Sequence, residues 1–309
     1  MLSKNTPSPA GAANRHLGKN QRKALLTTSG KQRGFTLIEL MVGITIGLLT
    51  IAVAMGALTV SRNVSGTVTD TSGIQQQAAY AMRVIGLQMR QAGSVRLNMN
   101  PKSLIAQDLY FAPVGFETIS IASGSAKGFN PSTDTITGTN TPATVTLGYR
   151  RFTEPVFGNA AEQTLARNCL GGPDSANADM RLESIFQLTG SELQCSGNGA
   201  AAQSIAQNVA NFQVRYLLQD TVSTLGDPNI RAVDAAGVGT NWGRVQAVEV
   251  CLVLYGIESI SMPAGSTYTD CNGTAVDMTT LPSPRNRRMH SVFRNVFQMR
   301  SQGLTGAAI

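Results

Sequence analysis

The sequence predicts an α+β protein in which one long N-terminal helix packs on a mainly antiparallel β-sheet head with long loops. Two observations carry this prediction. Apolar residues recur at helical spacing over the first part of the chain, and short runs of strand-like sequence follow after Gly93. With 309 residues, of which 42% are hydrophobic and 14% charged, the chain is able to bury a core.

The first 34 residues are polar and basic. They contain seven of the 25 lysine and arginine residues and no acid, whereas the rest of the chain has 18 basic and 18 acidic groups. The net charge of +7 therefore belongs to this segment alone. Basic residues directly before an apolar run act as a topology signal, so we interpret residues 1–34 as a leader peptide and do not expect nucleic acid as a partner.

An apolar segment follows from Phe35 to Val60, with the sequence FTLIELMVGITIGLLTIAVAMGALTV and Glu39 as its only charged residue. As a helix it is about 39 Å long, enough to cross the hydrocarbon core of a bilayer. We predict a transmembrane segment over residues 35–60 in membrane lipid. The cations before it should stay cytoplasmic, so the rest of the chain should be translocated.

Helical spacing continues beyond the predicted span and ends near Gly93. Its apolar face consists of Val60, Val64, Val68, Ile74, Ala78, Ala81, Met82, Ile85, Met89 and Ala92. We therefore predict an N-terminal helix domain over residues 35–93, amphipathic in its second half, and a β-rich head over residues 94–309. Gly66, Gly73 and Gly86 each cost about 1 kcal/mol inside a helix, so we expect a bend or fraying near one of them.

Six segments after Gly93 are strand candidates. They are Leu109–Ala122, Ala143–Phe152, Arg181–Leu188, Phe212–Gln219, Val245–Tyr255 and Met289–Met299. The clearest is VQAVEVCLVLY, because Val248, Val250, Leu252 and Leu254 fall on one face at a period of two. The last segment is ambiguous, since its apolar spacing also fits a helix. Long loops rich in Gly, Ser, Thr, Asn and Asp separate the strands and should face solvent or a partner.

Four cysteines, Cys169, Cys195, Cys251 and Cys271, lie beyond the apolar segment and form no C-x-x-C pair. A metal site is therefore not expected. In an oxidising compartment an even number of cysteines indicates two disulfides, and four cysteines allow three pairings that the sequence does not separate. We favour the pairs that are local in sequence, Cys169 with Cys195 and Cys251 with Cys271.

The junction KQRGFTLIELMVGITIG places Gly34 between a basic flank and an apolar helix that has an acid at its fifth position. This pattern resembles the class III signal of type IV prepilins and type II secretion pseudopilins. The resemblance implies that prepilin peptidase cuts between Gly34 and Phe35 on the cytoplasmic side and methylates the new N-terminus. It also implies that Glu39 is the acid of the mature helix, that the lipid is that of the bacterial inner membrane, and that the head lies in the periplasm. The fold expected from the resemblance is the type IV pilin fold.

The chemistry of Glu39 agrees with this interpretation. A carboxylate inside lipid costs several kcal/mol and usually has a partner. The amine freed at Phe35 lies one helical turn away, and in a filament the equivalent amine would come from a neighbouring subunit. Two alternatives are an ordinary membrane anchor with an incidental acid and a conventional signal peptide cut after Ala54. The second leaves a long leader before its apolar region and no role for Glu39.

Later segments of the sequence indicate which type of pilin the chain resembles. NVANFQVRYLLQD, NWGRVQAVEVCLVLYG and NRRMHSVFRNVFQMRS look like the PilW type of minor pilin, and RNCLGG around Cys169 adds weaker support. The resemblance implies a low-abundance pilin that joins other minor pilins and the major pilin and primes assembly at the filament tip, where a tip adhesin is a further expected partner. The order of the segments is shared with J-type minor pseudopilins of type II secretion systems, which stay an alternative. An adhesion or DNA-binding module on a pilin stalk is the third.

Nothing in the sequence predicts catalysis or a cofactor. The two histidines are His16 and His290, and no nucleophile elbow, Walker A loop or zinc spacing is present. His290 is expected as an ordinary surface or strand residue. The arginines around 285–288 are expected on a solvated or partner-pairing face. Asp220, Asp227 and Asp234 do not have the spacing of a calcium loop.

Overall fold

The computed structural model describes residues 34–98, 115–116, 119–158, 161–220 and 229–299. The chain divides into two compact units, Met1–Gly56 and Ala57–Ile309. Helix α1, Leu37–Gln91, begins in the first unit and ends in the second. It confirms the N-terminal helix predicted over residues 35–93 to within two residues at each end. The leader predicted over 1–34 lies outside the described residues except for Gly34.

In the first unit, α1 exposes its apolar side chains. Phe35, Leu37 and Ile38 are all more than 70% exposed, and the exposed apolar surface continues through Met55. The polar atoms of this part are bonded to the helix itself, since the hydroxyls of Thr45 and Thr50 donate to the carbonyls of Val42 and Gly47 at 2.9 and 2.8 Å. A helix that satisfies its own polar groups and exposes apolar side chains is suited to lipid.

In the second unit, α1 buries a stripe that begins later than predicted. Its buried members are Asp70, Ile74, Ala78, Ala81, Ile85, Gln88, Met89 and Ala92. Val60, Val64 and Val68 are between 59% and 64% exposed, so their predicted place on the packing face is wrong. The cause lies in the sheet, because the strand that approaches this part of the helix contacts it at Asp70 through the N–H of Glu258.

The helix continues through Gly66, Gly73 and Gly86, so the fraying expected at one of these glycines does not occur. Gly86 has a packing role, because a Cβ atom there would lie 2.7 Å from the ring of Phe297. The predicted stop is confirmed. Gly93 has a φ of +74°, which favours glycine, and its N–H donates to the carbonyl of Gly148 at 2.8 Å.

Two antiparallel sheets form most of the head. The first has the order β3-β4-β5-β6-β7, and the second has the order β13-β10-β8-β9. The strands of the first sheet are β3 Ile136–Asn140, β4 Ala143–Arg150, β5 Arg181–Thr189, β6 Glu192–Gly197 and β7 Ala200–Ala206. Those of the second are β8 Val209–Asp220, β9 Asn229–Val233, β10 Val245–Ser259 and β13 Arg288–Gln298.

Short elements complete the described chain. They are β1 Leu97–Asn98, β2 Gly115–Phe116, α2 Pro131–Asp134, α3 Ala235–Val238, a 3₁₀ turn at Trp242–Arg244, β11 Thr267–Thr269 and β12 Ala275–Asp277. Strands β1 and β2 pair with each other, as do β11 and β12. The small hairpin of β11 and β12 is an excursion between β10 and β13.

Four of the six predicted strands, those now numbered β4, β5, β8 and β10, are confirmed, and the ambiguous segment before Met299 is the strand β13. Within the described part of the strand predicted over Leu109–Ala122, only Gly115–Phe116 is a strand, and Ser120 forms a single bridge to Phe129. The hairpin of β6 and β7 was missed, because the alternation in β6 is limited to Leu193 and Cys195 and β7 is rich in small and polar residues.

One hydrophobic core joins the helix to both sheets. It contains Ile85 and Met89 of α1, Phe186 of β5, Leu252 of β10 and Phe297 of β13, all at most 9% exposed. In β10 the predicted inner face is buried as expected, from Val248 through Leu254. The core therefore confirms the predicted α+β architecture, with the second part of a long N-terminal helix packed on antiparallel sheets.

Candidate processing and assembly site

The predicted cleavage junction lies in irregular backbone directly before the helix. Gly34, Phe35 and Thr36 are exposed and outside α1, which begins at Leu37. A Cβ atom at Gly34 would meet nothing within 4 Å among the described residues. Exposed, irregular backbone is the kind of segment that peptidases cut. The bond between Gly34 and Phe35 is therefore open to an enzyme, and the regular helix begins two residues later.

Thr36 caps the first turn of α1. Its hydroxyl oxygen accepts a hydrogen bond from the N–H of Glu39 at 3.3 Å, and its carbonyl accepts from the N–H of Leu40 at 3.2 Å. Threonine at this position with glutamate three residues later is the capping-box pattern. This capping role of Thr36 was not predicted, although the sequence TLIE has the spacing of a capping box.

Glu39 lies in the first helical turn, where the helix dipole favours a negative charge. No cation of the described residues lies within ion-pair distance of its carboxylate. The amine expected to pair with it does not exist in the uncut chain, because the nitrogen of Phe35 is still part of the peptide bond to Gly34. Three features therefore lie close together at the start of α1. They are the exposed bond between Gly34 and Phe35, the cap formed by Thr36, and the carboxylate of Glu39, which has no cation of the described residues at ion-pair distance.

The segment that follows has the hydropathy of a membrane span. Within α1, an 18-residue window has a mean hydropathy of 2.3, and none of it is buried. It is the one helix among the described residues that is long and apolar enough to cross a bilayer. An exposed apolar helix near the start of the chain is consistent with a membrane anchor.

The head holds the second half of α1 through polar contacts as well as the core. The buried carboxylate of Asp70 accepts the N–H of Glu258 at 2.8 Å, and a Cβ atom at Gly256 would lie 2.4 Å from it. Farther along, the hydroxyl of Ser184 donates to Gln88 at 2.9 Å and accepts the N–H of Cys169 at 3.1 Å. Because buried polar groups need partners, these contacts define where the helix sits on the sheets.

Two disulfides join the four cysteines in pairs that are local in sequence. Cys169 is bonded to Cys195 with their Cα atoms 6.4 Å apart, and Cys251 is bonded to Cys271 with theirs 5.8 Å apart. The first pair belongs to the main core. The second pair forms a small separate cluster with Val253, which fixes the β11–β12 excursion to β10.

The remaining candidates have structural roles. His290 is a buried strand residue whose Nδ1 lies 2.8 Å from the carbonyl of Arg288, and its ring stacks on Tyr268. Burial lowers the pKa of His290, and the contact with the Arg288 carbonyl opposes that shift. Asp234 caps α3 through the N–H of Gly237 at 2.8 Å. The described residues contain no cluster of metal-binding side chains. Asp227 lies outside the described residues, as does the side chain of Asp220.

Two family models match this chain. The model described as Type IV Pilus-assembly protein W covers residues 175–301, and the Prokaryotic N-terminal methylation motif covers residues 29–55. No curated protein matches the sequence at a significant level. Among solved structures, a type IV-like pilin from Thermus thermophilus matches with 12% identity, covering 74% of this chain and 98% of that chain. Its TM-score of 0.32 is too low to add to the fold assignment.

The matched regions coincide with the features described above. The methylation motif spans the junction at Gly34, the capped helix start and Glu39, and it implies processing by prepilin peptidase. The PilW model spans β5 to β13 and implies other pilins as partners. Pilins are structural rather than enzymatic proteins. With this motif at its start and this domain in its head, the chain resembles a minor pilin of the PilW type, and the two matches together support a role in type IV pilus assembly.

Proposed function

We propose that this protein is made as a prepilin, is cut between Gly34 and Phe35 at the cytoplasmic face of the inner membrane, and is methylated at Phe35. Residues 35–60 then anchor it, with the head in the periplasm. The observation that carries the proposal is the arrangement at the helix start. An exposed bond precedes a capped first turn that contains Glu39, and an exposed apolar helix follows.

We further propose that the mature subunit joins other minor pilins in a complex that initiates the filament at its tip. The apolar helix supplies a membrane-soluble stalk that can pass from lipid to protein neighbours, since both surroundings are apolar. The carboxylate of Glu39 aligns the subunit, because it gains an ion pair only where a partner's N-terminal amine lies opposite it. Catalysis and a cofactor have no place in this role. The PilW model favours a pilus over a secretion pseudopilus.

Intact-mass measurement of protein extracted from membranes tests the processing step. We expect a mature N-terminus at Phe35 that carries one methyl group in cells with active prepilin peptidase, and the uncut chain in cells without it. A Gly34→Ala change should slow the cut, because a Cβ is added at the bond itself, while Gly43→Ala in the same apolar region should not. A mature N-terminus at Met55, or retention of the leader in peptidase-positive cells, would contradict the proposal.

A further inference from the structure

Strand β13 runs alongside α1 in the same direction. Near its start, Met289 lies against Thr71, whose hydroxyl is 3.5 Å from the methionine sulfur. Near its end, the ring of Phe297 lies against Gly86. From Met289 to Phe297 the strand advances by eight residues, or roughly 26 Å, and from Thr71 to Gly86 the helix advances by fifteen residues, or roughly 22 Å. The two elements therefore lie side by side over this length. Residues before Met289 must therefore lie beside the helix ahead of Thr71.

The end of β10 lies beside the same part of α1. The N–H of Glu258 bonds to Asp70, and a cavity of about 290 Å³ is lined by Arg62 and Gly66 of the helix and by residues 258–261. The N–H of Ile260 donates to the carbonyl of Arg287 at 2.8 Å. Arg62, the segment Glu258–Ser261 and Arg287 thus form one edge of the head, which we call the rim.

The height of the rim follows from the helix. Arg62 is two residues and Gly66 six residues beyond Val60, so the rim lies about 3 to 9 Å along the helix axis from the last apolar residue of the proposed span. A bilayer has a hydrocarbon core of about 30 Å within a total of about 40 to 45 Å, so each headgroup layer is roughly 5 to 8 Å thick. A span of about 39 Å fits a core of about 30 Å when the helix tilts, and with Val60 at the edge of the core the rim then lies at headgroup depth. This step rests on the proposed membrane-spanning role of residues 35–60.

The rim carries two arginines that form no ion pair with an acid of the described residues. Arg62 and Arg287 are exposed and form no ion pair with a described residue. Arg288 donates to the carbonyl of Gly256 at 3.1 Å, which leaves its charge unpaired as well. The backbone of Arg287 is fixed in a left-handed conformation, with φ at +52°, and its N–H bonds to Met278 at 2.8 Å. Glu258 is the one acid of the rim.

We propose that the rim is a docking surface for anionic phospholipid headgroups of the periplasmic leaflet. Arginine donors match phosphate oxygens in charge and in geometry, and each arginine near an anionic surface strengthens binding about fivefold. Before assembly, this contact holds the head on the membrane in one orientation. It is lost when the subunit leaves the bilayer for the filament, so it acts on the membrane-inserted form.

The test uses the full chain reconstituted in vesicles, either of phosphatidylcholine alone or of an equal mixture of phosphatidylcholine and phosphatidylglycerol. The photoreactive residue benzoylphenylalanine replaces Ser261 in the rim and, as a matched control, Ala201 on the exposed strand β7. Lipid crosslinks are quantified by mass spectrometry. We expect crosslinking from position 261 that increases severalfold with phosphatidylglycerol, and none from position 201.

Charge variants test whether the arginines of the rim bind the lipid or whether the rim only lies close to it. Arg62→Gln with Arg287→Gln should remove most of the preference for phosphatidylglycerol, up to about fivefold for each arginine. The matched pair Arg62→Lys with Arg287→Lys should keep it, Glu258→Gln should raise it, and Arg231→Gln on β9 should leave it unchanged.

Three outcomes would overturn the proposal. Equal crosslinking in both vesicles, or an unchanged preference in the double glutamine variant, would show that charge does not hold the rim on lipid. Crosslinks from position 261 to a second copy of the chain would make the rim a subunit interface. Release of the chain from the vesicles by alkaline carbonate would contradict both the proposed membrane span and the rim. If the chain resists carbonate but its crosslinking does not depend on phosphatidylglycerol, only the proposal for the rim is contradicted.

Discussion

Thr36 and Glu39 have different roles in the first turn of α1. Thr36 bonds to the backbone N–H of residue 39, which stabilises the start of the helix whatever the side chain at that position. The carboxylate of Glu39 has no cation within reach among the described residues. The cap can therefore be changed without removing the charge, and the charge can be changed without removing the cap. This separation makes the role of Glu39 testable.

Replacing Glu39 by Gln or Ala should abolish assembly while leaving processing nearly normal. The junction at Gly34 is untouched, and loss of a charge favours insertion by up to about 2.5 to 3.5 kcal/mol, less near the interface. We expect few or no surface pili by electron microscopy, with the major pilin accumulating in the membrane.

Thr36→Ala is the matched control for the Glu39 variants. It should cost about 1 kcal/mol of helix stability through loss of the cap but keep the charge, so pili should still form. A Glu39→Ala strain with normal pilus number and normal incorporation of this subunit would show that the acid is incidental.

His290 should make the stability of the head depend on pH. Burial holds its pKa below the ordinary value of about 6.5, so below that pH the unfolded chain binds more protons than the folded one. Its contribution to the free energy of unfolding is complete above about pH 6.5 and is lost as the pH falls through the lower folded value. It is the only histidine after residue 34.

Chemical denaturation in detergent between about pH 8 and pH 5 measures this effect. We expect the midpoint for the head to fall with the pH in the natural protein. In His290→Phe, which keeps the aromatic stack on Tyr268, the midpoint should be lower at neutral pH but nearly constant over the range. A parallel decline in both proteins would assign the pH dependence to other groups.

At the scale of elements, the glycines of α1 have different surroundings. Gly86 faces the ring of Phe297, and a Cβ atom there would approach to 2.7 Å, closer than normal packing allows. Gly73 has nothing within 4 Å of the same added atom. The helix propensity of both positions is the same, since glycine in a helix interior is about 1 kcal/mol worse than alanine. Only packing on the sheet distinguishes them.

Gly73→Ala should raise the free energy of unfolding of the head by up to about 1 kcal/mol. Gly86→Ala should lower it, because overpacking costs about 1 to 3 kcal/mol and exceeds the gain in propensity. Denaturant titration of the two variants measures the difference. Stabilisation by both changes would mean that Phe297 moves aside freely, and Phe297→Leu should relieve the loss in Gly86→Ala.

At the scale of the whole molecule, the two disulfides hold different parts of the head. The bond between Cys169 and Cys195 lies in the core that contains α1, and its two cysteines have a sequence separation of 26. The bond between Cys251 and Cys271 spans 20 residues and lies in a separate cluster on the other face of β10. Arg294 supports the second site, where it donates to the carbonyl of Cys271 at 2.7 Å.

Removing either disulfide by Ala substitution of both cysteines should cost about 2 to 4 kcal/mol, but the consequences should differ. Loss of the Cys169–Cys195 bond should lower the midpoint of the whole head. Loss of the Cys251–Cys271 bond should first increase hydrogen exchange in residues 260–287, while the sheets stay protected. Non-reducing peptide mapping of envelope protein checks the pairing, and four alkylatable thiols would contradict it.

Local patterns were sufficient for much of this protein. The junction at Gly34, the apolar run from Phe35 to Val60 and the stop at Gly93 were visible in the sequence because each depends on neighbouring residues alone. The same holds for β10, whose alternation of buried and outward side chains is a property of one strand. The resemblance to type IV pilins could also be recognised from the sequence, since the motifs that carry it are contiguous segments.

Tertiary structure decided the rest, because it depends on contacts between residues far apart in the chain. The apolar spacing of Val60, Val64 and Val68 predicted packing, but the helix side that meets β10 there is that of Gly66 and Asp70, which lie against Glu258, and the three valines stay exposed. The pairing of four cysteines, the small-residue hairpin of β6 and β7, and the close approach at Gly86 likewise follow from the register of strands and helix. The rim is the clearest example, since Arg62 and the segment Glu258–Ser261 line one cavity only when the end of β10 lies along α1.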